Sequence, residues 1–463
     1  MTDMVKIISP VDGSVYATRP LAAQAEIEAT LSEAKAAQAE WAGVAIAERA
    51  RLCSAAVDAM LAMAEEVVPE LAWQMGRPVR FGGGELRGFE ERARHMIAIA
   101  EDALAPVEPA PKEGFRRYIK RQPLGVVLVV APWNFPYLTA VNSVIPALMA
   151  GNAVILKHAA QTLLVGERFA AAMAAAGLPK GLFSNLVLNH DQSAAIIGSG
   201  RVDQVNFTGS VAGGQAMEQA AAGTFAGLGL ELGGKDPAYV RADVDLDHAV
   251  ENLVDGAFFN SGQSCCGIER IYVHGDRFDA FVDGFAALTR RYVLGSPLEA
   301  ETTLGPMVKA SAAKFVAGQI EDAVRQGARP LIDAAGFDHD APGTPYMAPQ
   351  VLIDVNHQMA VMREESFGPV VGIMKVADDA EAITLMNDSP FGLTASIWTA
   401  DLDAAERIGG AVETGTVFMN RCDYLDPALA WTGVKDTGRG ATLSRVGYET
   451  LTRPKSFHLR HTI

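Results

Sequence analysis

The sequence predicts an α/β protein with two open, doubly wound domains built on parallel sheets and joined by a small β arm. Three observations carry that prediction. The chain has 463 residues, too many for one ordinary hydrophobic core. Between residues 126 and 207, short apolar runs rich in β-branched residues alternate with longer helical patterns. Buried strands separated by helices form parallel sheets, because parallel neighbours need crossover connections. A second alternation of the same kind begins after Glu231.

The elements follow in order. Residues 21–64 are rich in Ala, Glu, Gln and Leu, with Ile27, Leu31, Trp41, Ala45, Leu52 and Val57 at helical spacing, which predicts two packed helices. A further helix is predicted over residues 88–103, stopped by Pro106, Pro109 and Pro111. Residues 115–122 alternate in character and read as an extended arm. The runs 126–131, 153–156, 185–188 and 204–207 read as strands, with helices at 136–149, 163–175 and 192–198. After Glu231, residues 247–259 and 277–292 read as helices, and 270–273 and 370–374 as strands. The polar tail 455–463 is β-capable but too short to stand alone, so it is expected to join a sheet of a neighbouring subunit.

Composition narrows the function. Hydrophobic residues make up 49% of the chain and charged residues 20%, the balance of a folded protein. A net charge of -16 repels phosphate backbones and anionic membranes, so neither nucleic acid nor membrane is an expected partner and a small molecule is. The N-terminus lacks an apolar leader and no apolar run approaches a membrane span, so the expected compartment is the cytoplasm. The four cysteines, Cys53, Cys265, Cys266 and Cys422, suit neither a disulfide framework nor a metal site. No metal is expected, and a special cysteine here is a reactive one.

Four segments could carry chemistry. Phe259 to Gly267 sets the thiol pair Cys265 and Cys266 between glycines, where a ligand can approach closely and a thiolate can attack a carbonyl. Read alone, both could be small buried hydrophobes. Glu231, followed by Leu232, Gly233, Gly234 and Lys235, offers a carboxylate at a strand end; it could activate water, or be an ordinary solvated glutamate before a turn. Pro132, Trp133, Asn134, Phe135 and Pro136 follow a strand of the first domain, where open sheets hold ligands. Asn134 could donate to a developing oxyanion there, or the two prolines could simply shape a turn. Phe207, Thr208, Gly209 and Ser210 link a strand to a helix whose free N–H groups could face a pyrophosphate, although no strict GxGxxG occurs.

These motifs in this order, together with Lys157 and the run Glu365-Ser366-Phe367-Gly368-Pro369, resemble the aldehyde dehydrogenase superfamily along nearly the whole chain. The resemblance implies an aldehyde dehydrogenase-like fold. It places a dinucleotide-binding domain at residues 1–112 and 125–230, a catalytic domain at 231–445 and an oligomerisation arm at 113–124 and 446–463. It implies oxidation of an aldehyde to a carboxylic acid with NAD or NADP, in a homodimer or homotetramer. Cys265 is then the nucleophile, Glu231 the general base, and Asn134 with the backbone N–H of Cys265 the oxyanion site. Pro132, Trp133, Lys157, Gly209, Ser210, Leu232, Glu365 and Phe367 are the implied cofactor contacts. Phe135, Ser264, Cys266, Tyr424 and Trp431 are the candidates for the substrate funnel.

Two departures matter. Three positions after Lys157, many NAD-preferring relatives carry a Glu that binds ribose hydroxyls, whereas this chain has Ala160, so NADP is expected to be accepted. The C-terminal substrate loop lacks the usual Pro-Phe-Gly-Gly run, which leaves the aldehyde open. No Arg cluster in the sequence marks an acidic substrate. A CoA-acylating relative, or an idle one kept for structure or binding, are the alternatives. The carboxylate Glu231 speaks against the first and the intact Asn134, Glu231 and Cys265 against the second.

Overall fold

Two mainly parallel sheets organise the chain, which the computed structural model describes over residues 3–462. The first sheet has six strands in the order Gly438–Arg439, Gly227–Glu231, Gln204–Thr208, Val126–Ala131, Ala153–His158, Phe183–Asn185. All neighbours run parallel except the edge pair of Gly438–Arg439 with Gly227–Glu231. Val126–Ala131 is buried at every residue, as a strand covered by helices on both faces must be. From it the chain winds outward to Phe183–Asn185, then crosses to Gln204–Thr208 on the other side. That reversal opens a crevice at the C-terminal ends of Val126–Ala131 and Gln204–Thr208, where open sheets bind ligands. The loops entering it carry Pro132 to Phe135 and Gly209-Ser210.

The helices Pro136–Met149 and Leu163–Ala175 have the predicted bounds, and Pro136 starts the first where its missing N–H costs nothing. Gln24–Trp41 and Ile46–Leu61 bury the predicted Ile27, Leu31, Trp41, Leu52 and Val57. The helix expected to begin at 88 begins at Val79. Its early glycines mask it in sequence, yet Gly82 and Gly88 lie against Val68 and Leu138 and seat the helix rather than break it. The strand expected over 185–188 is Phe183–Asn185. A hairpin of Met4–Ile8 and Val15–Pro20 is absent from the sequence reading, although Asp12-Gly13 signals its turn: Asp12 accepts from the N–H of Ser14 and Gly13 has φ 77°.

The second sheet has seven strands in the order Arg329–Pro330, Gln350–Ile353, Val370–Val376, Ile268–His274, Asp236–Val240, Thr394–Trp398, Thr416–Met419, antiparallel only at the Arg329–Pro330 edge. The chain passes from the first sheet to the second through Leu232-Gly233-Gly234-Lys235. Glu231 therefore stands at the junction of the two.

The tail corrects one expectation. Thr452–Arg460 does not wait for another subunit; it pairs antiparallel with Phe115–Pro123 of its own chain, from Thr452 opposite Pro123 to Arg460 opposite Phe115. Cross-strand stacking of Tyr118 on Phe457 at 4.5 Å and of Phe115 on His458 at 4.9 Å favours this pairing. Ile463, the last residue of the tail, lies outside the described residues.

Candidate active site

The two sheets enclose a cavity of about 1700 Å³ that reaches from the crevice of the first to the junction with the second. Pockets for a single drug-sized ligand run to roughly 1,000 Å³, so this one has room for a dinucleotide and a second small molecule. Asn134, Glu231 and Cys265 all line it.

Cys265 follows a strained turn. Asn260, Ser261 and Gly262 have φ of 52°, 57° and 69°, a left-handed run that costs energy and persists only where its surroundings hold it. Ser261 donates to the carbonyl of Gly305 at 2.8 Å, and Oε1 of Gln263 accepts from the N–H of Val308 at 2.8 Å. A Cβ on Gly262 would lie 2.2 Å from the carbonyl oxygen of Gly368, so only glycine lets the cysteine loop meet the Glu365–Pro369 motif. A Cβ on Gly234 would likewise lie 2.2 Å from the carbonyl oxygen of Cys265. Three motifs far apart in sequence thus touch at two glycines.

The vicinal thiols differ. Cys265 is partly exposed to the cavity, whereas Cys266 is 3% exposed and donates to Oδ1 of Asp423 at 2.9 Å. The adjoining Cys265 thiol, burial and the charge of Asp423 together push the Cys266 thiol well above its ordinary range. Cys266 is therefore a protonated wall and Cys265 the free sulfur. Ser264 departs from its predicted place: buried and outside the cavity wall, it donates to the same Asp423 oxygen at 3.2 Å. The hydroxyl is spent on holding the loop.

Asn134 donates its amide to the carbonyl of Gln263 at 3.2 Å, which brings it beside the cysteine loop and leaves its second N–H free. The backbone N–H of Cys265 has no acceptor among the described residues. A buried ion pair that sequence reasoning missed sets this geometry. Arg77 pairs with Glu85, donates to the carbonyl of Asn134 at 2.6 Å and lies 4.5 Å from the ring centre of Phe135. Glu85 also accepts from the N–H groups of Tyr137 and Leu138 at 2.9 and 3.0 Å, so it caps the helix that begins just after Asn134.

Glu231 accepts from the hydroxyls of Thr442 at 2.5 Å and Thr208 at 3.2 Å. Burial raises its carboxyl above the usual range, while the two hydroxyls and the charge of Arg92 hold the rise back. Each carboxylate oxygen keeps a lone pair for water.

The other end of the cavity is lined by Pro132, Trp133, Lys157, Gly209, Ser210, Leu232, Glu365 and Phe367. Ser210 caps the helix Val211–Ala221 by accepting from Gly213, and the N–H groups of Val211 and Ala212 have no acceptor among the described residues. Lys157, 8% exposed, makes no hydrogen bond among the described residues and points its charge to no carboxylate; burial lowers its pKa. His158 beside it is buried between the Pro136 carbonyl and Thr162 and is pushed down to about 4, so it is neutral. Glu365 accepts from the N–H of Gly234 at 2.9 Å, and Phe367 meets Trp133 edge-on at 5.7 Å. A second buried ion pair, Lys235 with Glu269, pins this loop: Glu269 accepts from the N–H groups of Ser366 and Phe367 at 2.8 and 2.9 Å.

Phe135, Cys266, Tyr424 and Trp431 join the wall at the cysteine end, where Tyr424 donates to Glu91 at 2.6 Å. Sequence reasoning predicted a helix over 88–103 but not its place in the site: Val79–Ala103 presents Arg87, Glu91 and Arg92 to the cavity. These residues read as the solvated face of an ordinary helix.

Known proteins resemble the chain along its length. The aldehyde dehydrogenase family model matches residues 1–457. A succinate-semialdehyde dehydrogenase [NADP(+)] of Mycolicibacterium paratuberculosis is 35% identical over 455 residues, covering 98% of this chain and 96% of that protein. The crystal structure of a succinate-semialdehyde dehydrogenase from Burkholderia pseudomallei superposes with a TM-score of 0.94 at 30% identity, over 99% of this chain and 95% of that one. PnpE in complex with nicotinamide adenine dinucleotide gives a TM-score of 0.95 at 28% identity, over 100% of this chain and 95% of that one.

Proposed function

The chain belongs to the aldehyde dehydrogenase family, and from that premise we propose that Cys265 attacks the aldehyde, Asn134 stabilises the oxyanion and Glu231 delivers water to the thioester. The enzyme oxidises an aldehyde to a carboxylic acid with NAD(P). The observation that carries the residue roles is the single cavity shared by a partly exposed Cys265, an Asn134 amide with one free N–H and a half-buried Glu231.

The dinucleotide fits the other end. The uncapped N–H groups of Val211 and Ala212 face where a pyrophosphate would lie, Lys157 offers an unspent ammonium, and the Glu365 carboxylate can take ribose hydroxyls. When bound, its nicotinamide supplies the hydride acceptor. The protein's own residues do the rest. Cys265 gains a covalent bond to the carbonyl carbon, and the oxyanion of the thiohemiacetal lies between Nδ2 of Asn134 and the N–H of Cys265. Loss of one such donor costs on the order of 100 to 1,000-fold in turnover. Glu231 then takes a proton from water, which displaces the sulfur. Its presence favours release to water over transfer to a thiol such as CoA.

In this reading residues 1–112 and 125–230 bind the dinucleotide, 231–445 carry the catalysis, and 113–124 with 446–463 join subunits. The ribbon of Phe115–Pro123 and Thr452–Arg460 carries Arg116, Arg117, Lys120, Arg121, Arg453, Lys455 and Arg460 and no acidic residue, in a chain of net charge -16. A second copy is its natural partner, as a homodimer or homotetramer. Four free cysteines suit the cytoplasm.

NADP is the expected cofactor. Ala160 lines the cavity near Lys157 and puts no carboxylate against a 2′-phosphate. The test is a panel of aldehydes with NAD and NADP, read by absorbance of the reduced nicotinamide, on a preparation sized by light scattering. Succinate semialdehyde, the substrate in the name of the curated relative, is the first compound to assay. Turnover with NADP at least matching NAD is expected. No turnover of any aldehyde would end the reading, strict use of NAD would end the cofactor assignment, and a monomer would end the assembly.

Glu365 adds a pH signature. Burial, with the charge of Glu269, pushes its carboxyl up to about 7. Above that value it is ionised and accepts from ribose hydroxyls; below it, it is protonated. The KM for the cofactor should therefore climb as pH falls through about 7, and Glu365→Gln should flatten that limb. An unchanged pH profile in the variant would remove Glu365 from cofactor binding.

A further inference from the structure

Arg92 lies in the helix Val79–Ala103, in the wall at the cysteine end of the cavity, and is only 9% exposed. A guanidinium keeps its charge in a protein, and a buried charge is costly unless something pairs with it. No side chain does. Arg92 bonds through Nη1 alone, to the carbonyl of Leu138 at 2.8 Å and to Oδ1 of Asn142 at 3.4 Å. Nε and Nη2, the two groups on the other edge of the fork, have no acceptor among the described residues, and neither is sealed from the cavity.

The carboxylates nearby are committed elsewhere. Glu85 is paired with Arg77, Glu91 holds the hydroxyl of Tyr424, and Asp423 takes Cys266 and Ser264. Asp255 makes no ion pair with Arg92 among the described residues: desolvation first, then the charges of Asp423 and Glu251, push its carboxyl up to about 6, and the charge of Arg92 does not act on it. Arg92 thus presents a pre-oriented pair of N–H donors to the cavity and lacks a counter-ion. Its Nη1 is anchored on the carbonyl of Leu138, one helical turn after Asn134, and it shares the cavity wall with Asn134 and Cys265, so a molecule reaching from the nucleophile to the guanidinium is short. Glu85 feels its charge most, then Cys266, Glu231 and Cys265.

We propose that Arg92 determines specificity: its Nε and Nη2 edge receives the carboxylate of a short aldehyde that bears one at the end remote from the carbonyl being oxidised. A flat carboxylate matches that edge with two parallel hydrogen bonds, which a lysine or an amide could not supply. The inference rests on Cys265 being the nucleophile of the same cavity. It also changes the outlook from sequence, where no Arg cluster marked an acidic substrate: Arg92 needs no cluster, because burial makes one guanidinium sufficient.

The test compares kcat/KM for succinate semialdehyde and for butanal, of equal carbon number, in the wild type and in Arg92→Met. The wild type should favour the carboxylated aldehyde, and the variant should lose that advantage through KM by about 100-fold or more, as when one partner of a buried, hydrogen-bonded charge pair is removed. Butanal should lose far less: the variant lifts the Glu231 carboxyl further and so moves the pH limb of hydrolysis for both aldehydes alike, a change that the ratio of the two cancels. Equal losses on both aldehydes, or a wild type without preference, would overturn the assignment. Should Arg92→Met fail to fold, alkylation of wild-type Cys265 decides: succinate should protect it, and butyramide and inorganic phosphate should not. No protection by succinate, or equal protection by phosphate, would overturn the carboxylate fork. A wild type that oxidises neither aldehyde would strike the catalytic reading itself, which separates the two failures.

Discussion

Cys265→Ala is expected to lower turnover on the order of 10⁵-fold, the scale on which covalent catalysis fails when its nucleophile is removed, while dinucleotide binding persists. The adjoining substitution, Cys266→Ala, should retain most of the turnover. The difference follows from what each sulfur touches. Cys266 donates to Asp423 from a site 3% exposed, so its proton is held and its approach blocked. Cys265 has no such tether and opens into the cavity beside the free N–H of Asn134. Single-turnover kinetics with mass spectrometry of the acylated protein measure both variants. Acylation surviving in Cys265→Ala and vanishing in Cys266→Ala would exchange the two roles.

Much of this site is legible in the chain because its parts are local. Asn134, Glu231, Cys265 and Glu365 each sit within a short run whose glycines and prolines announce an unusual backbone, and the strands that lead to them are apolar runs such as Val126–Ala131. The helices between them reveal themselves by period, and their bounds at Pro136–Met149 and Leu163–Ala175 follow from it. What holds these parts together is not local. Arg77 reaches Asn134, Lys235 and Glu269 reach Ser366 and Phe367, and Thr442 reaches Glu231 across 211 positions. A charged residue on a helix reads as solvated surface unless the fold buries it, which is why Glu85 and Arg92 were silent. Ser264 shows the opposite error: adjacency to a nucleophile suggested a substrate contact, but in so tight a turn successive side chains diverge, and its hydroxyl turned to Asp423.

Glu231→Gln separates the two halves of the reaction. Acylation needs the sulfur and the oxyanion donors, both intact in this variant, whereas hydrolysis needs a base. The variant should release a burst of reduced nicotinamide equal to its active sites and then slow by about 10² to 10⁴-fold, the usual worth of a positioned general base, with an acyl group trapped on Cys265. The pH profile carries the same information. Burial raises the Glu231 carboxyl, so the group works as a base only above that raised value, and wild-type hydrolysis should climb as pH passes upward through it. Removing the hydroxyl with Thr442→Val takes away a hydrogen bond that favours the ionised form and should move the limb to higher pH, whereas in Glu231→Gln the limb should disappear. A Gln variant that lost turnover without a burst would place Glu231 before the thioester, and one that kept its steady rate would leave some other group to activate the water.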